Sequence, residues 1–150
     1  MNYSKEIIIH APREEVVAKL KNPKNFKHWQ KGFISYKHIT GIQGKPDARS
    51  RLKYKMGNRK IEMIETIIKE NSPNELHLSY DAQGVFNIQK NYFEVESENA
   101  TLWISYNDFE FSGFMKILGT LMPGIFKKQS LKYMQDFKAF VENGTSILNK

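Results

Sequence analysis

The 150-residue sequence contains no cysteine. Disulfides, thiolate metal sites and a cysteine nucleophile are thereby excluded, and a reducing compartment is compatible with the composition. Long apolar runs are also missing. The most apolar stretch, Ile117 to Phe126, is interrupted by Thr120, Pro123 and two glycines. It falls far short of the ~20 residues that a membrane-spanning helix needs. Met1 to Glu6 lacks the apolar core of a secretion signal. These absences predict a soluble, cytoplasmic protein. Four histidines are scattered with no HxH or HxxxH spacing, so no metal site and no cofactor is expected. There is no nucleophile elbow, phosphate loop or dinucleotide fingerprint, and no repeat or low-complexity segment.

Acidic residues are nearly absent from one region. Between Lys19 and Lys60, thirteen basic residues face a single acid, Asp47. Between Ile61 and Phe111 the balance reverses, with two basic and ten acidic residues. The net charge is +7. Such asymmetry marks either an anionic partner or two oppositely charged regions that lie close in one sheet. Hydrophobic residues at 40% and charged residues at 26% are the proportions of a globular chain. A chain of this length supports one domain with a sizeable core.

The hydrophobic pattern changes period along the chain. Tyr3 to His10, rich in β-branched residues, reads as a strand. Ala11-Pro12-Arg13-Glu14-Glu15 opens a helix, since proline suits the first turn and glutamates suit its positive end. That helix runs to about Leu20, with Val16, Val17 and Leu20 inward. Asn22-Pro23 starts a second short helix carrying Phe26 and Trp29. Period two then predicts strands over 33–40, 48–56, 59–69, 75–82, 85–97 and 100–111. Gly57-Asn58, Asn71 to Asn74, Gln83-Gly84 and Glu98-Asn99 supply the turns. These short spacings favour an antiparallel meander. Helical period returns from Gly113 to Glu142, with a kink or break at Pro123-Gly124 and a stop at Gly144. Residues 145–150 read as a frayed tail.

Three segments carry a family resemblance. Ile7-Ile8-Ile9-His10-Ala11-Pro12-Arg13-Glu14-Glu15-Val16-Val17 looks like the opening strand and helix of the START-like (SRPBCC) superfamily. Asn22-Pro23-Lys24-Asn25-Phe26-Lys27-His28-Trp29 looks like its second helix, and Phe137-Lys138-Ala139-Phe140-Val141-Glu142 like its closing one. This superfamily includes birch pollen allergen relatives and polyketide cyclase/dehydrase-like proteins. The resemblance spans nearly the whole chain and implies an α+β helix-grip fold over 1–150. A curved antiparallel sheet of about seven strands would wrap a long C-terminal helix, with two short helices after the first strand. It implies a cavity between sheet and helix, but no activity, because the superfamily shares no catalytic motif.

Three functions are therefore open. In the first, the domain binds or carries an apolar or amphipathic small molecule or lipid. Its cavity would be lined by Trp29, Tyr36, Tyr54, Glu65, Tyr80, Phe86, Trp103, Phe111, Met115 and Leu118. In the second, a cyclase, dehydratase or hydrolase works in the same cavity. Its weak catalytic candidates are Glu65, a carboxylate between Met63 and Ile67 on an apolar face, and His77, beside Ser79 and Asp81. A carboxylate so placed must be paired, protonated or facing a wet cavity. Lys90 and Asp108 pose the same question of facing. In the third, a regulator or lipid chaperone uses Arg49, Arg51, Lys53, Lys55, Arg59 and Lys60 to meet nucleic acid or an anionic membrane. That face lacks interleaved aromatics, so a solvated strand is favoured over a partner.

Overall fold

The computed structural model describes residues 1–149. Its seven strands are β1 (Asn2–Ile9), β2 (Phe33–Thr40), β3 (Arg49–Met56), β4 (Arg59–Asn71), β5 (Glu75–Ala82), β6 (Val85–Ser97) and β7 (Ala100–Phe111). They form one antiparallel sheet in the order β1-β7-β6-β5-β4-β3-β2. Each strand from β2 to β7 pairs with its sequence neighbour, and β1 closes onto β7. Short turns make this order nearly obligatory, because only antiparallel neighbours can be joined by two to four residues. The helices are α1 (Arg13–Lys21), α2 (Phe26–Trp29), α3 (Phe114–Leu121) and α4 (Gly124–Asn143).

Local chemistry places the helices. Asn22 accepts a hydrogen bond from the Lys24 backbone N–H at 3.0 Å, which caps the turn that leads into α2. The break at Pro123 separates α3 from α4, as the ring would remove a hydrogen bond within a continuous helix. Gly144 ends α4 in the left-handed region at φ 68°. The tail differs from expectation. Ser146 is buried and hydrogen-bonds the His28 ring at 2.9 Å, and Ile147–Asn149 forms a short 3-10 helix. A hydroxyl that finds a partner on α2 holds residues that a terminal position alone would leave frayed. Lys150 lies outside the described residues.

The core forms where α1, α2 and α4 meet the inner face of the sheet. Ile9, Val16, Leu52, Phe93, Met134 and Phe137 are sealed within it. Phe137 of α4 packs edge-on to Trp29 at 5.0 Å and to Trp103 at 5.4 Å. Burying an aromatic ring of this size contributes about 1.5–3 kcal/mol from area alone. The helix α4 rests most closely on β1, α2 and α1. The inner side chains of β3 and β4 face the first half of α4, where Gln129 reaches Met56 Sδ.

Candidate functional site

Register fixes which side chains share the inner face of the sheet. Tyr36 pairs with Leu52, Leu52 with Met63, Glu65 with Tyr80, and Tyr80 with Asn87. Residues paired across strands share a face, and α4's side of the sheet is the side of the buried Leu52 and Phe93. The inner set thus includes Tyr36, Tyr54, Met63, Glu65 and Tyr80. On the last two strands it includes Asn87, Gln89, Asn91, Trp103, Ser105, Asn107 and Phe111.

Glu65 is the chemical centre of this face. Burial pushes its carboxyl from 4.5 up to about 7, and the nearby Tyr80 hydroxyl partly offsets the rise. Desolvation penalises the ionised form, so near neutral pH this group is part acid and part carboxylate. Tyr54 and Tyr80 are held well above the ordinary phenol value by burial, and their negative neighbours add to the rise. Tyr133, on α4, is pushed by burial to about 12. All three remain hydroxyl donors at neutral pH. Two are anchored from behind: Tyr54 donates to Gln30 Oε1 at 2.6 Å, and Tyr133 accepts from Gln129 Nε2 at 3.2 Å. Glu65 lies deep in the protein, yet it and Tyr80 are only half-buried by accessible area.

Beside the tyrosines runs an amide ladder that alternation of apolar residues does not reveal. Trp103 Nε1 donates to Asn91 Oδ1 at 2.9 Å, and Asn91 Nδ2 donates to Leu76 O and Gln89 Oε1, each at 3.1 Å. Gln89 and Asn87 both donate to Asn107 Oδ1 at 3.3 Å, and Asn107 donates to Ser105 Oγ at 3.2 Å. Asn87 Oδ1 and the buried Trp29 Nε1 have no partner among the described residues. The signal in the sequence was the run Asn87-x-Gln89-x-Asn91, three amides at period two.

The ladder also reverses one facing. Phe86 pairs with Glu110 and Asp81 on the outer face, so it does not join the inner set. Phe86, Ile88 and Tyr92 form the more apolar side of β6, and hydrophobic alternation therefore selects the wrong face. His77 is likewise on the outer side. It lies against Tyr92 at 5.2 Å, near Glu75, and burial lowers its pKa while Glu75 opposes the fall. The sheet separates it from Glu65, so the two do not form an acid/base pair. Lys90 and Asp108 are also outward. Arg49, Arg51, Lys53 and Lys55 occupy the outer face of β3, with Arg59 and Lys60 across the turn. Arg51 pairs with Glu62 at 2.7 Å rather than with Glu65. The other outward cations of this strand stay exposed.

The two ends of this inner face are built differently. At the β1 and β7 end, Phe126 packs against Phe109 at 5.2 Å and Phe111 at 5.0 Å, and Tyr3 donates to the Phe126 carbonyl at 3.0 Å. Towards β3, Gln129 reaches Met56 Sδ at 3.6 Å, and Met115 abuts the Gly84 turn. Met115 and Leu118 sit on the half-buried side of α3. Two open hollows, of ≈ 370 and ≈ 380 Å³, lie elsewhere, around Arg13 and Tyr92 and along the outer side of α3.

Gly119 sets how closely α3 approaches the sheet. A Cβ there would lie 2.5 Å from the Phe111 ring. Gly119→Ala gains up to about 1 kcal/mol of helix propensity. Overpacking against a ring costs about 1–3 kcal/mol, so the contact wins. The expected result is faster amide exchange over 114–121 in the variant. Slower exchange would show that α3 does not rest on Phe111.

No protein-family model matches the chain, and no curated protein matches it. Solved structures do. A conserved protein from Geobacillus kaustophilus is 17% identical with a TM-score of 0.78, covering 94% of this chain and 95% of its own. The ZhuI aromatase/cyclase from Streptomyces sp. R1128 is 10% identical with a TM-score of 0.78, covering 95% and 93%. Major latex-like protein 151 from Panax ginseng is 11% identical with a TM-score of 0.73, covering 93% and 95%. The chain thus has the helix-grip fold that its sequence resembles, and at these identities the likeness is one of fold.

Proposed function

We propose that the protein binds an apolar or amphipathic small molecule or lipid between the inner face of the sheet and the first half of α4. The observation that supports this reading is Glu65, a carboxyl on the inner face of the sheet that burial holds near pH 7 while part of its surface stays accessible. Ligand sites are concave and mostly apolar, with a few polar groups that fix orientation. Here Met56, Met63 and Phe126 offer apolar surface, while Glu65, Tyr80 and the amide ladder offer the polar groups. Trp29, Tyr36, Tyr54, Trp103, Phe111, Met115 and Leu118 complete the proposed lining. A ligand hydroxyl or N–H near Asn87 Oδ1 would satisfy an acceptor that the protein leaves unpaired.

Two measurements test this. Native mass spectrometry of gently purified protein should detect an adduct whose extracted mass identifies an apolar compound. Titration with the neutral probe N-phenyl-1-naphthylamine should give saturable fluorescence enhancement, and its absence would overturn the proposal. A long-chain primary amine separates the role of Glu65 from simple greasiness. The carboxylate is about one-tenth ionised at pH 6 and nine-tenths at pH 8, for a pKa of about 7. Amine affinity should therefore rise about tenfold between those values and stay flat in Glu65→Gln. The neutral probe should bind both proteins alike at both pH values.

An enzyme in the same space is the second reading. It is favoured by one observation, a carboxyl near pH 7 within reach of the Tyr80 hydroxyl. An acid/base group works best with a pKa near the working pH. Under this reading Glu65→Gln abolishes turnover and leaves neutral-ligand binding intact. His77 plays no part in it, being on the other face of the sheet.

A further inference from the structure

The helix α3 is amphipathic with a wide apolar face, setting Phe114, Met115, Ile117, Leu118 and Leu121 against Lys116 and Thr120. One side is accounted for, with Met115 at the Gly84 turn and Gly119 beneath Phe111. The other side meets nothing. Phe114 is 71% exposed, Ile117 56% and Leu121 74%. Met122, just before the Pro123 break, and Ile125, just beyond it, are also exposed. Lone exposed apolar side chains are ordinary, but a contiguous ridge of large ones marks a contact surface.

The charge around this ridge has one sign. Between Glu110 and Asp136 there is no acidic residue, while Lys116, Lys127 and Lys128 are basic; Lys132, one turn further on, pairs with Asp136 at 2.9 Å. Glu110 itself points to the outer face of the sheet, because Phe109 and Phe111 point inward. The contact between Gln129 and Met56 brings the β3–β4 hairpin to the start of α4. Arg59, paired with Met56, and Lys60 therefore belong to the same end of the molecule.

We propose that this end, the outer side of α3 with the first turn of α4, docks on an anionic lipid bilayer. Apolar side chains would enter the boundary between headgroups and acyl chains, and the flanking lysines would meet lipid phosphates and carboxylates. Lysine suits this position, since its stem covers apolar surface while its ammonium stays at headgroup level. A second copy of the chain fits poorly, because it would bring the same lysines against one another. A neutral bilayer would accept the ridge and leave the cations without counter-charges. The proposal stands on exposed side chains and charge, and does not require that anything bind inside the sheet.

Vesicle co-sedimentation tests it. Phosphatidylcholine vesicles with and without about one-third phosphatidylserine are compared at low salt and at roughly 0.5 M salt. The full chain should partition at least about tenfold more strongly onto the anionic vesicles, and high salt should remove most of that preference. Ile117→Glu with Leu121→Glu should abolish binding. Both side chains are exposed, so the melting temperature should not change. Lys127→Glu with Lys128→Glu should remove the preference for anionic lipid. Ile42→Glu, at a 75% exposed position in another loop, should change neither. Equal partitioning onto both vesicle types would overturn the proposal. So would full binding by the Ile117/Leu121 variant, which would assign the contact to the basic strand 49–60. A dimer in sedimentation equilibrium that the same variant dissociates would overturn it in favour of a second copy.

Discussion

Glu65→Gln should raise stability at pH 8 relative to wild type by about 3 kcal/mol, and by almost nothing at pH 4. The figure follows from a folded-state pKa of about 7 against 4.5 for the free group. Below pH 4.5 the carboxyl is protonated whether folded or unfolded, and it costs nothing. As pH rises from 4.5 to 7 the unfolded chain loses its proton first, so wild-type stability falls. Above 7 both states are ionised and no more is lost. Glutamine cannot ionise and does not follow this curve. Other carboxyls titrate alike in both proteins and cancel, including Glu70, which hydrogen bonds from Lys21 and Ser72 hold down at about 2. Urea unfolding at several pH values from 4 to 8 reads the difference. Parallel curves for the two proteins would mean that Glu65 ionises as freely as a surface carboxylate, and the proposed binding site would lose its polar anchor.

Phe137→Ala should destabilise the fold by about 3–5 kcal/mol, the usual cost of deleting a fully buried ring. Phe137 has no exposed surface and touches both tryptophans, one on α2 and one on β7. Removing it leaves a void where helix and sheet are joined. The expected reading is a large drop in the urea midpoint together with a changed tryptophan emission spectrum. A loss below about 1 kcal/mol would show that the surroundings collapse onto the site. Because the contact lies at the second half of α4, away from Glu65, it separates grip from ligand chemistry. A mild variant such as Phe137→Leu should lose stability but keep probe binding.

The elements were readable because their causes are local. Gln83-Gly84 and Glu98-Asn99 stop one strand and start the next, and β5, β6 and β7 fall on the expected residues. The proline at 123 divides the closing helix for a reason held within one turn of chain. Even the placement of Glu65 was legible, since Met63 and Ile67 flank it at period two.

Facing was less legible wherever the inner surface is polar. On β6 the hydrophobic pattern favours Phe86, Ile88 and Tyr92, and the register turns those outward. Amides are cheap to bury once they bond one another, and Asn87, Gln89, Asn91 and Asn107 do so across two strands. No single strand contains that information. The separation of His77 from Glu65 has the same origin, as it depends on which residues of β4 and β5 stand opposite. The apolar stripe of α3 reads as core by period alone, and only the packed molecule shows that one side of it has no neighbour.

Turn chemistry, period and capping thus specify the strands, the helices and their order, because each acts over a few residues. The inner face beneath α4, the raised pKa of the carboxyl on it and the uncovered ridge of α3 arise from contacts between residues far apart in the chain. A side chain's pKa and exposure depend on everything packed around it, and that is settled only when sheet and helix close on each other.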